Sequence, residues 1–428
     1  MYRSYYQEVN HLIIIRFVIF FLLMGCSSIK VPEYKSKVKN QPLARSFHAL
    51  AVRNPITKKI IYDHNGDRYF TPASNTKIVT LYSGIQLLPN QAPALKYISR
   101  NDTIYFEGTG DPAFLHPYFQ DSTALTLLKA HKTHYWYAKN TTEDRYGPGW
   151  AWEDFDTYYS PEKSALPLYG NVVSVWQQPA LNVIPKHFKE KFVPVHGRFR
   201  RAEFQNEFYL GSPVPDTLEI PFKTNDQVVL QLLYEVLGKE VRPLTHFPKG
   251  EKKTLFGVPM DSIYKRMMHK SDNFLAEQIL MLASSSLSDT LSTKTAIRHM
   301  LENQLSDLSP QPRWVDGSGL SRYNLFTPKS MTQVLQKLHD EIPHDRLFKL
   351  FPMWDETGTV EIWNHRDIEP FIFAKSGSFG NHYNLSGYVR TSSGKILIFS
   401  MMNNHFRVPS HEIRGHIFDT LRAIHEKH

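Results

Sequence analysis

Apolar residues recur along this chain with two different periods, and the change of period divides it into elements. Residues 48–53 and 59–62 are short apolar runs separated by the turn signal Asn54-Pro55 and closed by Asp63-His64-Asn65-Gly66-Asp67, a pattern that predicts a hairpin. Residues 78–88 carry the spacing of a helix entering a core, stopped by Pro89-Asn90. Helical spacing returns at 227–237, 262–282, 292–304 and 328–339. The chain then turns strand-like at 371–375, 383–390 and 395–402, before a last helix near 411–428. No internal repeat or low-complexity run interrupts this order.

The apolar run Phe17 to Met24, eight uninterrupted residues, is too short for the ~20 residues that cross a bilayer. Arg3 and Arg16 precede it and Gly25 follows, the marks of an export signal. Leu23-Met24-Gly25-Cys26 resembles the bacterial lipobox, which implies a signal peptide over residues 1–25 and lipidation at Cys26. Residues 26–45, with Lys30, Lys35, Lys37, Lys39 and Arg45 and little apolar periodicity, read as a tether. Ser27 after the cysteine resembles outer-membrane sorting in Gram-negative bacteria. A lipoprotein that faces the periplasm from the outer membrane is therefore expected.

Composition narrows the class. With 428 residues, 41% hydrophobic and 21% charged, the chain has material for two or more globular domains, which excludes a disordered, collagen-like or multi-span membrane protein. The formal charge of +9 is spread over scattered Lys and Arg, so it reads as a solvated basic surface and no nucleic-acid partner is expected. One cysteine excludes an intrachain disulfide or a multi-cysteine zinc site. The 20 histidines show no His-Glu-x-x-His spacing, and neither metal nor cofactor is expected.

The chemistry centres on Ser74 and Lys77. In Ser-x-x-Lys on a helix the two side chains share a face one turn apart, so a lysine with a depressed pKa can take the serine's proton. Ser271-Asp272-Asn273 places three short polar residues inside a helical stretch, which predicts a break presenting a hydroxyl and an amide to a cleft. Lys375-Ser376-Gly377-Ser378 follows the apolar run 371–374, setting a cation and then a residue without a side chain on an edge strand, where a substrate backbone could lie.

The order Ser-x-x-Lys, Ser-x-Asn, Lys-Ser/Thr-Gly resembles that of the penicillin-interacting serine acyltransferases. Thr71-Pro72-Ala73-Ser74-Asn75-Thr76-Lys77, Gly108-Thr109-Gly110-Asp111-Pro112, Trp150-Ala151-Trp152-Glu153-Asp154, Leu166-Pro167-Leu168-Tyr169-Gly170-Asn171, Asp316-Gly317-Ser318-Gly319-Leu320-Ser321-Arg322, Glu356-Thr357-Gly358-Thr359 and Ala374-Lys375-Ser376-Gly377-Ser378 are similar to blocks of the D-alanyl-D-alanine carboxypeptidase/endopeptidase family, the class C low-molecular-mass penicillin-binding proteins. The resemblance implies an α+β fold: a serine β-lactamase/transpeptidase-like domain, helices packed on an antiparallel sheet, with an inserted strand-rich domain. The expected parts are 46–89 and 260–428 for the transpeptidase-like domain and 90–259 for the insertion. Ser376 stands where the family usually has threonine, and the hydroxyl is kept.

The same resemblance assigns roles. Ser74 is the acylated nucleophile and Lys77 its general base. Ser271 and Asn273 serve proton transfer and substrate amide binding. Lys375 supports Ser271 and the substrate's terminal carboxylate, which Ser376 also binds. Gly377 admits the substrate backbone, and the N–H groups of Ser74 and Ser378 form the oxyanion hole. The implied substrates are peptidoglycan stem peptides, with β-lactams as inhibitors. A β-lactamase or small-ester hydrolase on the same fold, or a catalytically silent cell-wall-binding lipoprotein, are the alternatives. Trp150, Glu153 and Asp154 combine an aromatic wall with carboxylates and are candidates for reading the free amine of a diaminopimelate residue in the stem; the alternative is a core aromatic beside a solvated turn.

Overall fold

The computed structural model describes residues 45–428 apart from 179, 196, 212–215, 355–357 and 364–368. Cys26 and the signal and tether segments, and Glu356 and Thr357 of the sixth block, lie outside the described residues.

The chain begins with β1 (Phe47–Arg53) and β2 (Ile60–His64), then α1 (Thr76–Leu87). A strand-rich stretch follows: β3 (Gln91–Arg100), β4 (Thr103–Gly108), α2 (Thr123–Lys129), β5 (Thr133–Tyr137), β6 (Val172–Gln177), β7 (Leu181–Ile184), β8 (Phe192–Val193), β9 (Phe208–Tyr209), β10 (Leu218–Pro221), α3 (Asp226–Leu237), β11 (Val241–Leu244) and β12 (Lys253–Pro259). Helices α4 (Met260–Lys270), α5 (Asn273–Ser284), α6 (Thr293–Glu302), α7 (Pro328–Glu341) and α8 (His344–Leu350) lead to β13 (Ile372–Phe379), β14 (His382–Arg390), β15 (Ile396–Asn404) and α9 (Ser410–Lys427).

Two flanks of the sequence build one sheet, in the order β13-β14-β15-β1-β2, antiparallel throughout. Its strands read as nearly continuous apolar runs because both faces are covered. Ala49, Ile398, Met402 and Tyr388 enter a core shared with α1 and α4–α8, while their neighbours Leu50, Phe399, Met401 and Val389 enter a second core under α9. The period of two thus sends alternate residues into different cores. Helix α5 is buried along its whole length and forms the centre of the helical layer.

The helical spacing over 262–282 resolves into two helices. Ser271 ends α4 in the left-handed region at φ +54°, and Asp272 caps α5 by accepting the N–H of Leu275 at 3.0 Å. The strand-like run 371–375 continues to Phe379, because the edge of the sheet carries the Lys-Ser-Gly-Ser segment as extended chain rather than ending before it. Two short helices, α2 and α8, had no clear signal in the sequence pattern.

Between α1 and α4 a mixed five-stranded sheet, β11-β5-β4-β3-β12, and a three-stranded antiparallel sheet, β10-β6-β7, enclose a separate core with α2 and α3. This stretch leaves and rejoins the helical layer at one point, where Gln91 pairs with Pro259 and the N–H of Met260 donates to Asn90 O at 2.9 Å. It also docks on α5: Gln278 Nε2 donates to Gly110 O at 2.8 Å and to Ser164 O at 2.9 Å, joining the Gly-Thr-Gly-Asp-Pro block to the helix that carries Asn273.

Candidate active site

Ser74 lies in a 3-10 turn, Ala73–Asn75, just before α1 rather than inside the helix, and Ala73 takes the left-handed conformation at φ +49°. Asn75 fixes this turn to the sheet. Its Nδ2 donates to Lys375 O at 2.9 Å and its Oδ1 accepts from Ser386 Oγ at 2.6 Å. A Cβ on Gly377 would lie 2.5 Å from Pro72 O and 2.7 Å from Asn75 N, so only glycine lets β13 approach the turn this closely.

Lys77 is fully buried, and its Nζ makes three contacts: Ser74 Oγ at 2.9 Å, Asn273 Oδ1 at 2.6 Å and Ser318 O at 2.6 Å. Two of these partners are carbonyl oxygens that only accept. A neutral amine satisfies both with its two N–H bonds and turns its lone pair to the Ser74 hydroxyl, the arrangement a base requires. Burial pushes the Lys77 pKa down to about 8, while Asp316, Glu277 and Asp272 pull in the opposite direction. Lys375 is also fully buried; its Nζ donates to Ser271 Oγ at 2.9 Å and Ser376 O at 2.7 Å. Burial, then the charge of Lys77, push its pKa well below the usual lysine range.

The outer edge of β13 is partly open. Ala374 N donates to Pro352 O at 2.9 Å and Trp354 N donates to Ile372 O at 3.0 Å, which sets the even-numbered residues of the strand facing outward. By the period of two, the N–H groups of Ser376 and Ser378 point along the same edge, and among the described residues no strand pairs with that part. Ser376 Oγ donates to Thr359 Oγ1 at 2.6 Å.

The site also rests on residues that motif reading assigned no role. Asp316 accepts four hydrogen bonds, from Gly319 N, Asn324 Nδ2, Trp150 Nε1 and Ser321 N, and so shapes the loop that offers Ser318 O to Lys77. A Cβ on Gly319, at φ +80°, would fall 1.9 Å from Ala73 O, so this loop sits directly against the turn that carries Ser74. Tyr159 O accepts from Asn273 Nδ2 at 2.9 Å, and Glu277 lies buried four residues beyond Asn273. The spacing of Glu277 from Asn273, an acid within an apolar run on the same helical face, was the one available signal.

The Trp150–Asp154 block divides. Trp150 is half-buried and faces a recess of about 280 Å³ with Tyr146, Trp152 and Phe155. Asp154 is half-buried, accepts from Tyr159 OH at 2.8 Å and lines a separate cavity of about 760 Å³ with Glu153, Tyr159 and Arg198. Glu153 is exposed and stands 3.8 Å from Arg198. Among the described residues no group of three His, Cys, Asp or Glu is placed to hold a metal ion.

An antiparallel sheet with helices on both faces, a serine-bearing turn before a buried helix, and two buried lysines brought to one cleft define a protein of the penicillin-binding-protein fold. The crystal structure of penicillin binding protein 4 from Haemophilus influenzae superposes with a TM-score of 0.70 at 21% identity, over 92% of this chain and 98% of that one. The D-Ala-D-Ala carboxypeptidase 3 (S13) family model matches residues 33–190 and 254–422, more than half of the sequence, and the chain belongs to this family. Two curated relatives are D-alanyl-D-alanine carboxypeptidase DacB of Haemophilus influenzae, 30% identical over 35% of this chain and 32% of its own length, and carboxypeptidase DacB of Mycolicibacterium smegmatis, 27% identical over 40% and 41%. The matches thus span only a third to two-fifths of those relatives.

Proposed function

We propose that the protein is a serine D-Ala-D-Ala carboxypeptidase/endopeptidase that acts on peptidoglycan stem peptides through an acyl-enzyme and is acylated by penicillin. The observation that carries this is the Lys77 Nζ contact to Ser74 Oγ, with the other two Nζ partners restricted to carbonyl acceptors. Neutral Lys77 takes the hydroxyl proton as Ser74 Oγ bonds to the carbonyl carbon of the penultimate D-alanine. The oxyanion lies toward the N–H groups of Ser74 and Ser378. As the intermediate collapses the C–N bond breaks, and the departing amine receives a proton through Ser271, which Lys375 supports. Water then cleaves the ester, giving the shortened peptide and restoring the Ser74 hydroxyl. Family membership and the fold support this reading.

Asp154 is proposed as the group that reads a free amine on the stem, supported by its place in the larger cavity and by Tyr159, which links that cavity to Asn273. Glu153 lies at the rim beside Arg198. Trp150 acts on the Asp316 loop through its indole N–H. Release of D-alanine from a diaminopimelate-containing pentapeptide tests both proposals. Ser74→Ala should abolish it and Lys77→Ala should slow it by about 10²–10⁴-fold. Asp154→Asn should slow cleavage of that peptide while penicillin acylation stays near wild type. Full turnover by Ser74→Ala would overturn the first reading, and equal loss toward peptide and penicillin the second. The lipobox resemblance at Cys26 supports a further proposal, that the protein is lipid-anchored and faces the periplasm.

A further inference from the structure

Beneath Lys77 lies a carboxyl that the reaction scheme does not use. Glu277 is 1% exposed, on α5 one turn beyond Asn273. Its Oε1 accepts the N–H of Ser318 at 2.7 Å, and the carbonyl of Ser318 accepts Lys77 Nζ at 2.6 Å. Thr80 Oγ1, from the same helix as Lys77, donates to Gly317 O at 2.6 Å and holds this loop in place. Glu277 Oε2 is buried and has no hydrogen-bond partner among the described residues. Hydrogen bonds from Ser318 and Gly317 favour the anion, but burial of a carboxyl with one oxygen left unbonded favours the neutral acid and outweighs them.

The surrounding charges fit a titrating group. From the loop, Asp316 has the acceptor-only bonding of an ionised carboxylate. From the inserted stretch, Lys163 faces Glu277, but its Nζ is held by Glu143 at 2.5 Å. From α1 comes Lys77, with Asp272 at the start of α5 and Lys375 on β13 beyond it. Burial, then Asp316, push the Glu277 pKa up to about 7, just below that of Lys77.

We propose that Glu277 is a positioning residue that shares protonation with Lys77: its ionised form holds Lys77 as an ammonium, its protonated form releases Lys77 to act as a base, and the carboxyl thereby sets the pH at which Ser74 becomes reactive. This rests on the reading of Lys77 as the base. Because a negative charge at Glu277 raises the Lys77 pKa, removing that charge lowers it. Glu277→Gln keeps an acceptor for Ser318 N and removes only the charge.

The test is the rate of penicillin acylation against pH, each protein normalised to its own plateau. Glu277→Gln should move the rising limb down by about one unit, so that the normalised rate below the limb increases about tenfold. A limb that superposes on wild type, or moves up, overturns the proposal. Should the variant fail to fold, carboxyl carbon-13 resonances of wild type labelled at glutamate decide the matter. One buried glutamate should titrate near neutrality, and its absence overturns the proposal equally. That measurement needs no acylation, so it stays separate from failure of the Ser74 reading, which would appear as loss of penicillin labelling altogether.

Discussion

At the scale of single residues, the site depends on close approach between backbones that are far apart in sequence. Gly377 is the clearest case, since a Cβ there meets Pro72 O and Asn75 N. Gly377→Ala must push β13 from the nucleophile turn, and a displacement of ~1 Å costs about 10²-fold in rate. Penicillin acylation should fall by about that factor, with a stability loss of about 1–3 kcal/mol in thermal denaturation; wild-type acylation would remove the close-approach argument. Ser74, Lys77, Asn273 and Lys375 were legible because each sits in a short local motif with a fixed spacing. Glu277 and Tyr159 were not: Glu277 acts across a loop, and Tyr159 contributes a backbone carbonyl that any residue carries.

At the scale of elements, the break between α4 and α5 joins strain to chemistry. Ser271 holds the left-handed conformation that ends α4 while its hydroxyl accepts a hydrogen bond from Lys375 Nζ. The three polar residues in the apolar pattern announced the break, although the handedness was not visible in them. A left-handed position costs a non-glycine residue about 1–2 kcal/mol. Ser271→Gly should therefore melt at a higher temperature than Ser271→Ala, while both lose acylation rate alike because both lack the hydroxyl. If the two variants melt together, strain is absent from this junction; if Ser271→Gly retains acylation, the hydroxyl has no role in proton transfer.

At the scale of the molecule, the sheet that carries the candidate site is assembled from both ends of the chain, with β1 lying between β2 and β15 and the stretch between α1 and α4 leaving and returning beside Asn90 and Met260. Local periodicity identified most of these strands but could not give their order, because strand pairing across more than three hundred residues leaves no periodic trace. The anchoring proposal also belongs to this scale. The mature protein should begin at Cys26 and partition into detergent, and Cys26→Ser should abolish lipid labelling; a mature N-terminus elsewhere would end that proposal.

The central claim is that Ser74 forms the acyl-enzyme with Lys77 as its base. Mass spectrometry of proteolytic peptides after incubation with penicillin tests it most directly. The account predicts one acyl group per chain, on the peptide containing Ser74, and none in Ser74→Ala. An adduct on another residue, or unchanged labelling of the variant, would contradict it.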